Sequence, residues 1–283
     1  MRLGITTPLF TMTPDGHAPW EVDADLVDIV PLVEAADRLG YEYVTCSEHV
    51  MIPDDVAPVR GGRYWDPLAT FGYLSAVTWR IRFATYVLVL GYHHPLAIAK
   101  RYGTLDVVSR GRLILGLGVG SLEEEFSLLG AKFSERGSRA DDALLALRAS
   151  LGRRLPDYHG THYSYEGMVI APHAVQSRVP FWIGGRTRRS LRRAVNLADG
   201  WTPFALSYRD VAGMLGDFDL PDGFDVILPC DRRIDPAGDP EGTLAAVESA
   251  RGAGATMLNV GPVSRSLSHL LEQLEAFAQL VDL

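Results

Sequence analysis

Two stretches of this chain set glycines between an apolar strand and a helix start. That arrangement offers an anion free backbone N–H groups and the positive end of a helix dipole. The first is Gly111-Arg112-Leu113-Ile114-Leu115-Gly116-Leu117-Gly118-Val119-Gly120-Ser121-Leu122-Glu123-Glu124-Glu125-Phe126. Leu113 to Leu117 is apolar on both faces, as a strand covered on both sides must be. It runs into glycines, which let backbone approach a ligand closely. Ser121 and Glu124 stand three apart, the spacing of a capping box. Three readings compete: an anion site, a dinucleotide fingerprint and a plain tight turn. The glycines at 116, 118 and 120 do not match G-x-G-x-x-G and fall late in the chain, which counts against the fingerprint. Glu123, Glu124 and Glu125 complement the dipole already and would repel a phosphate, which favours the turn.

The second stretch is Phe181-Trp182-Ile183-Gly184-Gly185-Arg186-Thr187, with Arg188, Arg189, Arg192 and Arg193 following. Cations at a helix N-terminus oppose its dipole, and a bound phosphate gripped by arginine would compensate. For Arg188 to Arg193 a solvated face paired with nearby acids explains the run equally well. For Gly184, Gly185 and Arg186 the ligand reading is preferred.

Glu48 and His49 lie together at an expected strand end, where a histidine can move a proton near neutral pH. A structural histidine capping a loop is the competing reading. His93 and His94 precede Pro95, which holds His94 extended. No H-x-H or H-E-x-x-H pair supports a metal site, so none is expected. His159 and His162 read as surface residues, and no G-x-S-x-G elbow marks a serine hydrolase.

These residues need elements to carry them. Short apolar runs recur at Leu3–Thr7, Tyr41–Cys46, Ile81–Leu90, Leu113–Val119, Pro180–Ile183, Gly200–Phe204, Phe224–Leu228 and Thr256–Val260. Segments of helical periodicity separate them. One carries Leu26, Ile29, Val30, Val33, Ala36 and Leu39 and ends at Gly40; Pro31 within it predicts a late start or a kink. Alternation through eight units fits a closed parallel barrel or an open doubly wound sheet, and the even distribution favours a (β/α)8 TIM barrel, an α/β fold. No linker divides residues 1–283, so one domain is expected. Two intervals are too long for simple connections: 47–66 after the second strand, of the kind that forms lids, and 151–179 after the fourth strand–helix unit, which reads as a hairpin insertion. In such a barrel the ligand site lies at the carboxyl ends of the strands.

Bulk properties narrow the function. A net charge of −8 gives no electrostatic footprint for nucleic acid. Cys46 and Cys230, the two cysteines, have no zinc-site or disulfide spacing. With no secretory segment and no membrane-length apolar run, a cytoplasmic protein is expected.

In the order and spacing of its motifs the chain resembles the bacterial luciferase-like monooxygenase superfamily, and within it the oxidoreductases that use the deazaflavin coenzyme F420. The carriers are Leu39-Gly40-Tyr41-Glu42-Tyr43-Val44 with Glu48-His49-Val50; Asp66-Pro67-Leu68-Ala69; Arg82-Phe83-Ala84-Thr85; His94-Pro95-Leu96; and Ser109-Arg110-Gly111-Arg112-Leu113. Trp182-Ile183-Gly184-Gly185 and Ala198-Asp199-Gly200-Trp201 complete them. The resemblance covers nearly the whole chain. It implies hydride transfer between coenzyme F420 and a small organic substrate in the barrel mouth. It also implies a non-proline cis peptide near Val89-Leu90 behind the cofactor ring. Gly118, Val119, Gly120 and Ser121 would line the ribityl-phosphate side, and Gly184, Gly185 and Arg186 would hold phosphate. Glu48 and His49 would serve as proton donor or acceptor. Arg60, Arg63, Tyr64 and Trp65 would shape specificity, and the family often forms homodimers. The alternatives are an FMN-dependent monooxygenase using oxygen, a non-catalytic flavin or deazaflavin binder, and a phosphosugar enzyme on the same barrel. The chain departs from the pattern at Tyr86, Gly91 and Ser121.

Overall fold

Eight parallel strands pair in a closed ring: β1 (Arg2–Ile5), β2 (Tyr43–Cys46), β3 (Arg82–Thr85), β4 (Leu113–Gly118), β5 (Phe181–Gly184), β6 (Gly200–Thr202), β7 (Asp225–Pro229) and β8 (Met257–Val260). β4 pairs with β5 through Phe181 opposite Leu115, and β8 closes on β1 through Leu3 opposite Leu258. The structure, a computed structural model, describes every residue except 7, 8, 14 and 15. The first strand was expected to reach Thr7, which lies outside the described residues.

Helices fill the intervals, as the barrel reading requires: α1 (Leu26–Leu39), α2 (Pro67–Leu74), α3 (Pro95–Val108), α4 (Glu123–Leu128), α5 (Arg136–Ser150), α6 (Arg188–Leu197), α7 (Tyr208–Leu215), α8 (Pro240–Gly252) and α9 (Leu267–Leu280). Asp25 caps α1 at Val27 N and Gly40 closes it at φ 95°. α1 runs through Pro31 and starts no later for it; the carbonyl that loses its donor is that of Val27, an exposed residue near the helix start where water replaces the bond. The insertion after α5 pairs Tyr158–His159 with Ser164–Tyr165, the expected hairpin. Buried Asp142 holds it, accepting from the N–H groups of His162 at 2.6 Å and Tyr163 at 3.0 Å.

Strand alternation divides the core in two. Leu113, Leu115 and Leu117 face the helices, in the large core outside the ring. Tyr43, Ala84, Ile114, Trp182, Ile227 and Met257 fill the ring itself, all completely buried.

The third strand departs from expectation. A continuous run over Ile81–Leu90 was expected, with a cis peptide at Val89-Leu90. Instead β3 stops at Thr85, the cis peptide lies at Tyr86–Val87, and the chain resumes as Leu88–Val89 beside Leu117 and Gly118 of β4. Side-chain volume accounts for the place. A Cβ on Gly116 would sit 1.9 Å from the Thr85 carbonyl oxygen, and Cβ atoms on Gly118 and Gly184 would sit 2.5 and 2.8 Å from the Val87 methyls. These glycines leave room for the turn of chain at Thr85–Val87.

Candidate active site at the barrel mouth

Glu48 and His49 leave the end of β2 and meet residues from the ends of β3 and β4. Glu48 is 7% exposed and both its oxygens are engaged. Oε2 accepts from Val89 N–H at 2.7 Å, and Oε1 lies 2.7 Å from His93 Nε2. His49 Nδ1 lies 2.8 Å from Glu125 Oε2. Glu125 is completely buried, and it also accepts from Val50 N–H at 2.6 Å and from the Tyr92 hydroxyl. Burial alone would raise the Glu125 carboxyl, but the bonds from Tyr92, His49 and Val50 outweigh it and hold its pKa below the usual range. Partial burial, with the hydrogen bond that its hydroxyl donates to that carboxylate, pushes the Tyr92 phenol well above its ordinary pKa.

This arrangement fixes a tautomer. An ionised carboxylate only accepts, so Nδ1 of His49 carries the proton toward Glu125. In the neutral ring Nε2 is then the basic atom. The ring stands edge-on to Tyr64, with centroids 4.6 Å apart. Glu48 and Glu125 thus orient two histidines, His93 and His49.

Glu125 was read from the sequence only as a complement to the helix dipole. The signal was present: Leu122, Glu125 and Phe126 share the buried face of α4. The expected capping box is absent. α4 begins after Leu122 with no side-chain cap, because Leu122 stays extended and 5% exposed. Ser121 instead accepts from Arg60 Nη1 at 3.0 Å. That bond ties the 47–66 loop over the end of β4. The same loop pairs Arg63–Tyr64 with Thr11–Met12 after β1, and Arg63 Nη1 donates to the Val22 carbonyl at 2.9 Å.

The remaining expected site residues surround the mouth unevenly. Val89 and Leu90 are buried, Leu90 in the outer core; Val119 and Gly120 are partly open. Gly184 lies under Val87. Gly185 has φ 141°, and a Cβ there would strike Ser190 Cβ at 2.6 Å. Its glycine is needed by the helix packing, apart from any ligand. Thr187 caps α6 in a capping box with Ser190. Arg186 is exposed, its guanidinium 5.8 Å from the Phe204 ring. Exposed Arg188 pairs with Asp217, as the solvated-face reading expects, whereas Arg193 pairs with Asp141 but is buried and is not part of a solvated face.

Deeper in the mouth, Tyr86 reaches from the end of β3 to Thr202 on β6 and Asn259 on β8. Burial raises its phenol pKa, and polar contact with Thr202 and Asn259 offsets part of the rise. These contacts fall short of hydrogen-bond geometry. Among the described residues, Thr202 Oγ1 and both amide atoms of Asn259 are buried with no hydrogen-bond partner. A separate cavity of about 260 Å³ lies outside the ends of β6 and β7, lined by Phe204, Tyr208, Pro229 and Asp231. It does not reach Glu48, His49 or Tyr86. The one cluster of possible metal ligands among the described residues, Asp157, His159 and Glu166, is exposed on the insertion hairpin.

A closed (β/α)8 barrel with loop-borne polar groups at its C-terminal mouth defines a TIM-barrel enzyme scaffold. Residues 1–218 match the family described as luciferase-like monooxygenase, and the chain belongs to that family of oxidoreductases and monooxygenases. It is 29% identical over 205 residues to a putative coenzyme F420-dependent oxidoreductase of Mycobacterium tuberculosis, covering 68% of this chain and 55% of that one. The chain spans about half to two thirds of the length of the curated relatives it matches. Among solved structures, a monooxygenase from Streptomyces bottropensis superposes with a TM-score of 0.81 at 20% identity, covering 99% and 98% of the two chains. A coenzyme F420-dependent tetrahydromethanopterin reductase from Methanopyrus kandleri superposes at 0.74 and 17% identity, covering 98% and 97%. These two share the fold.

Proposed function

We propose that this protein is a coenzyme F420-dependent oxidoreductase that moves a hydride to or from a small organic molecule in the barrel mouth. The observation that carries the reading is the oriented His49–Glu125 pair at the end of β2, in a family whose relatives include a putative F420-dependent oxidoreductase. The mouth suits a flat ring with a polar edge. Tyr86, Val87, Val119, Gly120 and Gly185 around it are partly open, and the polar atoms of Thr202 and Asn259 stand ready beneath. A bound deazaflavin would supply the hydride-exchanging carbon.

This chain's residues do the rest. His49 Nε2 takes or gives the substrate proton, while Glu125 holds the ring and stabilises its charged form. Glu48 orients His93 and fixes the backbone at Val89. Arg186, with the backbone at Gly184 and Gly185, grips phosphate, and Gly118, Val119, Gly120 and Ser121 line its approach. The 47–66 loop, tied down through Arg60 and Arg63, excludes water.

His49→Asn should lower kcat by about 100-fold or more while leaving cofactor affinity within a factor of two or so. Full turnover in that variant would remove His49 from the reaction. A second reading, an FMN-dependent monooxygenase, draws on the family's description; oxygen uptake supported by reduced FMN would select it. Tight cofactor binding with no turnover on any carbonyl or alkene would identify a binder instead.

A further inference from the structure

Within the ring, Ala84 and Met257 belong to the apolar layer. Asn259 comes two residues further along β8 on the same face, and Tyr86, just past the end of β3, packs against the same layer. On β6 Trp201 faces the outer core, so its neighbour Thr202 points inward. Three polar side chains therefore meet directly above an apolar floor. Thr202 is 2% exposed and Asn259 3%, yet neither has a hydrogen-bond partner among the described residues. Buried amides are almost always paired, and an orphaned one destabilises the free protein. Tyr86 is only partly buried and lies against both, so a group entering from the mouth meets Tyr86 first and reaches Thr202 and Asn259 where that side chain turns aside.

The unpaired chemistry defines the group. Asn259 offers a carbonyl acceptor beside an N–H donor in one plane, and Thr202 and Tyr86 add hydroxyls able to give or accept. A hydrocarbon would leave every one of these atoms unsatisfied. A planar edge with an N–H next to a carbonyl would pair with Asn259 at two points.

We propose that Tyr86, Thr202 and Asn259 form a recognition subsite for a cis-amide, lactam or imide edge on the floor of the mouth. The inference rests on the mouth being the ligand site. The edge belongs either to the cofactor's ring or to the substrate; the chemistry recognised is the same.

The test is ligand-observed NMR on the purified protein with uracil, which carries such an edge, and with 1,3-dimethyluracil, which has the same ring and no N–H. Wild type should bind uracil at least tenfold more tightly than dimethyluracil. Asn259→Leu should abolish that preference. Thr202→Val, nearly equal in volume and safe for folding, should reduce it severalfold. Uracil displaced by coenzyme F420 or FMN assigns the edge to the cofactor; uracil retained by the cofactor-loaded protein assigns it to the substrate. No preference in wild type, or a full preference in both variants, overturns the subsite. Because uracil binding needs no cofactor, that result is separable from failure of the F420 reading.

Discussion

Glu125 matters more than its place in a run of three glutamates indicates. It joins the end of β2 to the start of α4 by accepting from His49, Val50 and Tyr92. Glu125→Gln removes a buried charged acceptor from these three donors and should cost about 2 kcal/mol, read as a shift in the urea midpoint. The pH dependence follows from the sign of the shift. A carboxyl whose folded pKa lies below its unfolded value stabilises above the unfolded value, and loses that contribution as pH falls through the folded one. Hydrogen exchange in residues 48–51 should therefore rise only below the ordinary carboxylate range, and Glu125→Gln should flatten that rise. At Arg186, exposed and free of the helix packing that constrains Gly185, Arg186→Ala should weaken cofactor binding about tenfold with no change in melting temperature. Unchanged affinity would remove the arginine from the proposed phosphate site. Glu48 and His49 were legible because a strand-end rule points to them. Their partners were not, since Glu125 lies 76 residues from His49 and Glu48 lies 45 from His93. A single sequence shows polar residues near strand ends but not which of them meet.

The elements were easier to read than the residues, because strand and helix periodicities alternate through the whole chain. Seven of the eight strands fall within the expected apolar runs or a residue of them; the third was broken. Apolar character continues from Ile81 to Leu90, and nothing in that pattern marks the turn at Tyr86–Val87. The mark lay elsewhere, in glycines of β4 and β5 that accommodate it. Gly116→Ala would press a methyl onto the Thr85 carbonyl, which as backbone cannot give way, and should cost about 3 kcal/mol. Gly118→Ala meets a Val87 methyl and should cost less. Thermal melts of the two variants check the order; equal losses would show that the fit around Thr85 is not the constraint. Ser121 illustrates the opposite error, a local motif that tertiary context overrode: it bonds to Arg60 and does not cap the helix.

At the scale of the whole barrel the two ends do different work. Charged and polar groups at the C-terminal mouth are the ones proposed to meet a ligand, and those at the N-terminal end hold the ring together. Buried Arg112 shows the second kind. It donates five hydrogen bonds, to the carbonyls of Ser75, Thr78, Ile81 and Ser109 and to the Thr78 hydroxyl, lashing the end of α2 to the starts of β3 and β4. Arg112→Met leaves those carbonyls unpaired and should lower stability by on the order of 3 kcal/mol, while cofactor affinity at the far end stays unchanged. The closed ring was legible from eight even units. The polar floor of the mouth was not, because it gathers residues from β3, β6 and β8 that only the ring brings together. Cofactor identity decides which reaction the mouth can carry. A fluorescence titration of the purified protein with coenzyme F420, and in parallel with FMN, is predicted to give tight, saturable binding of the deazaflavin and at least tenfold weaker binding of FMN. Tight FMN binding with none for F420 would contradict the hydride-transfer reading, and binding of neither would contradict the assignment of the mouth to a flavin-type ring.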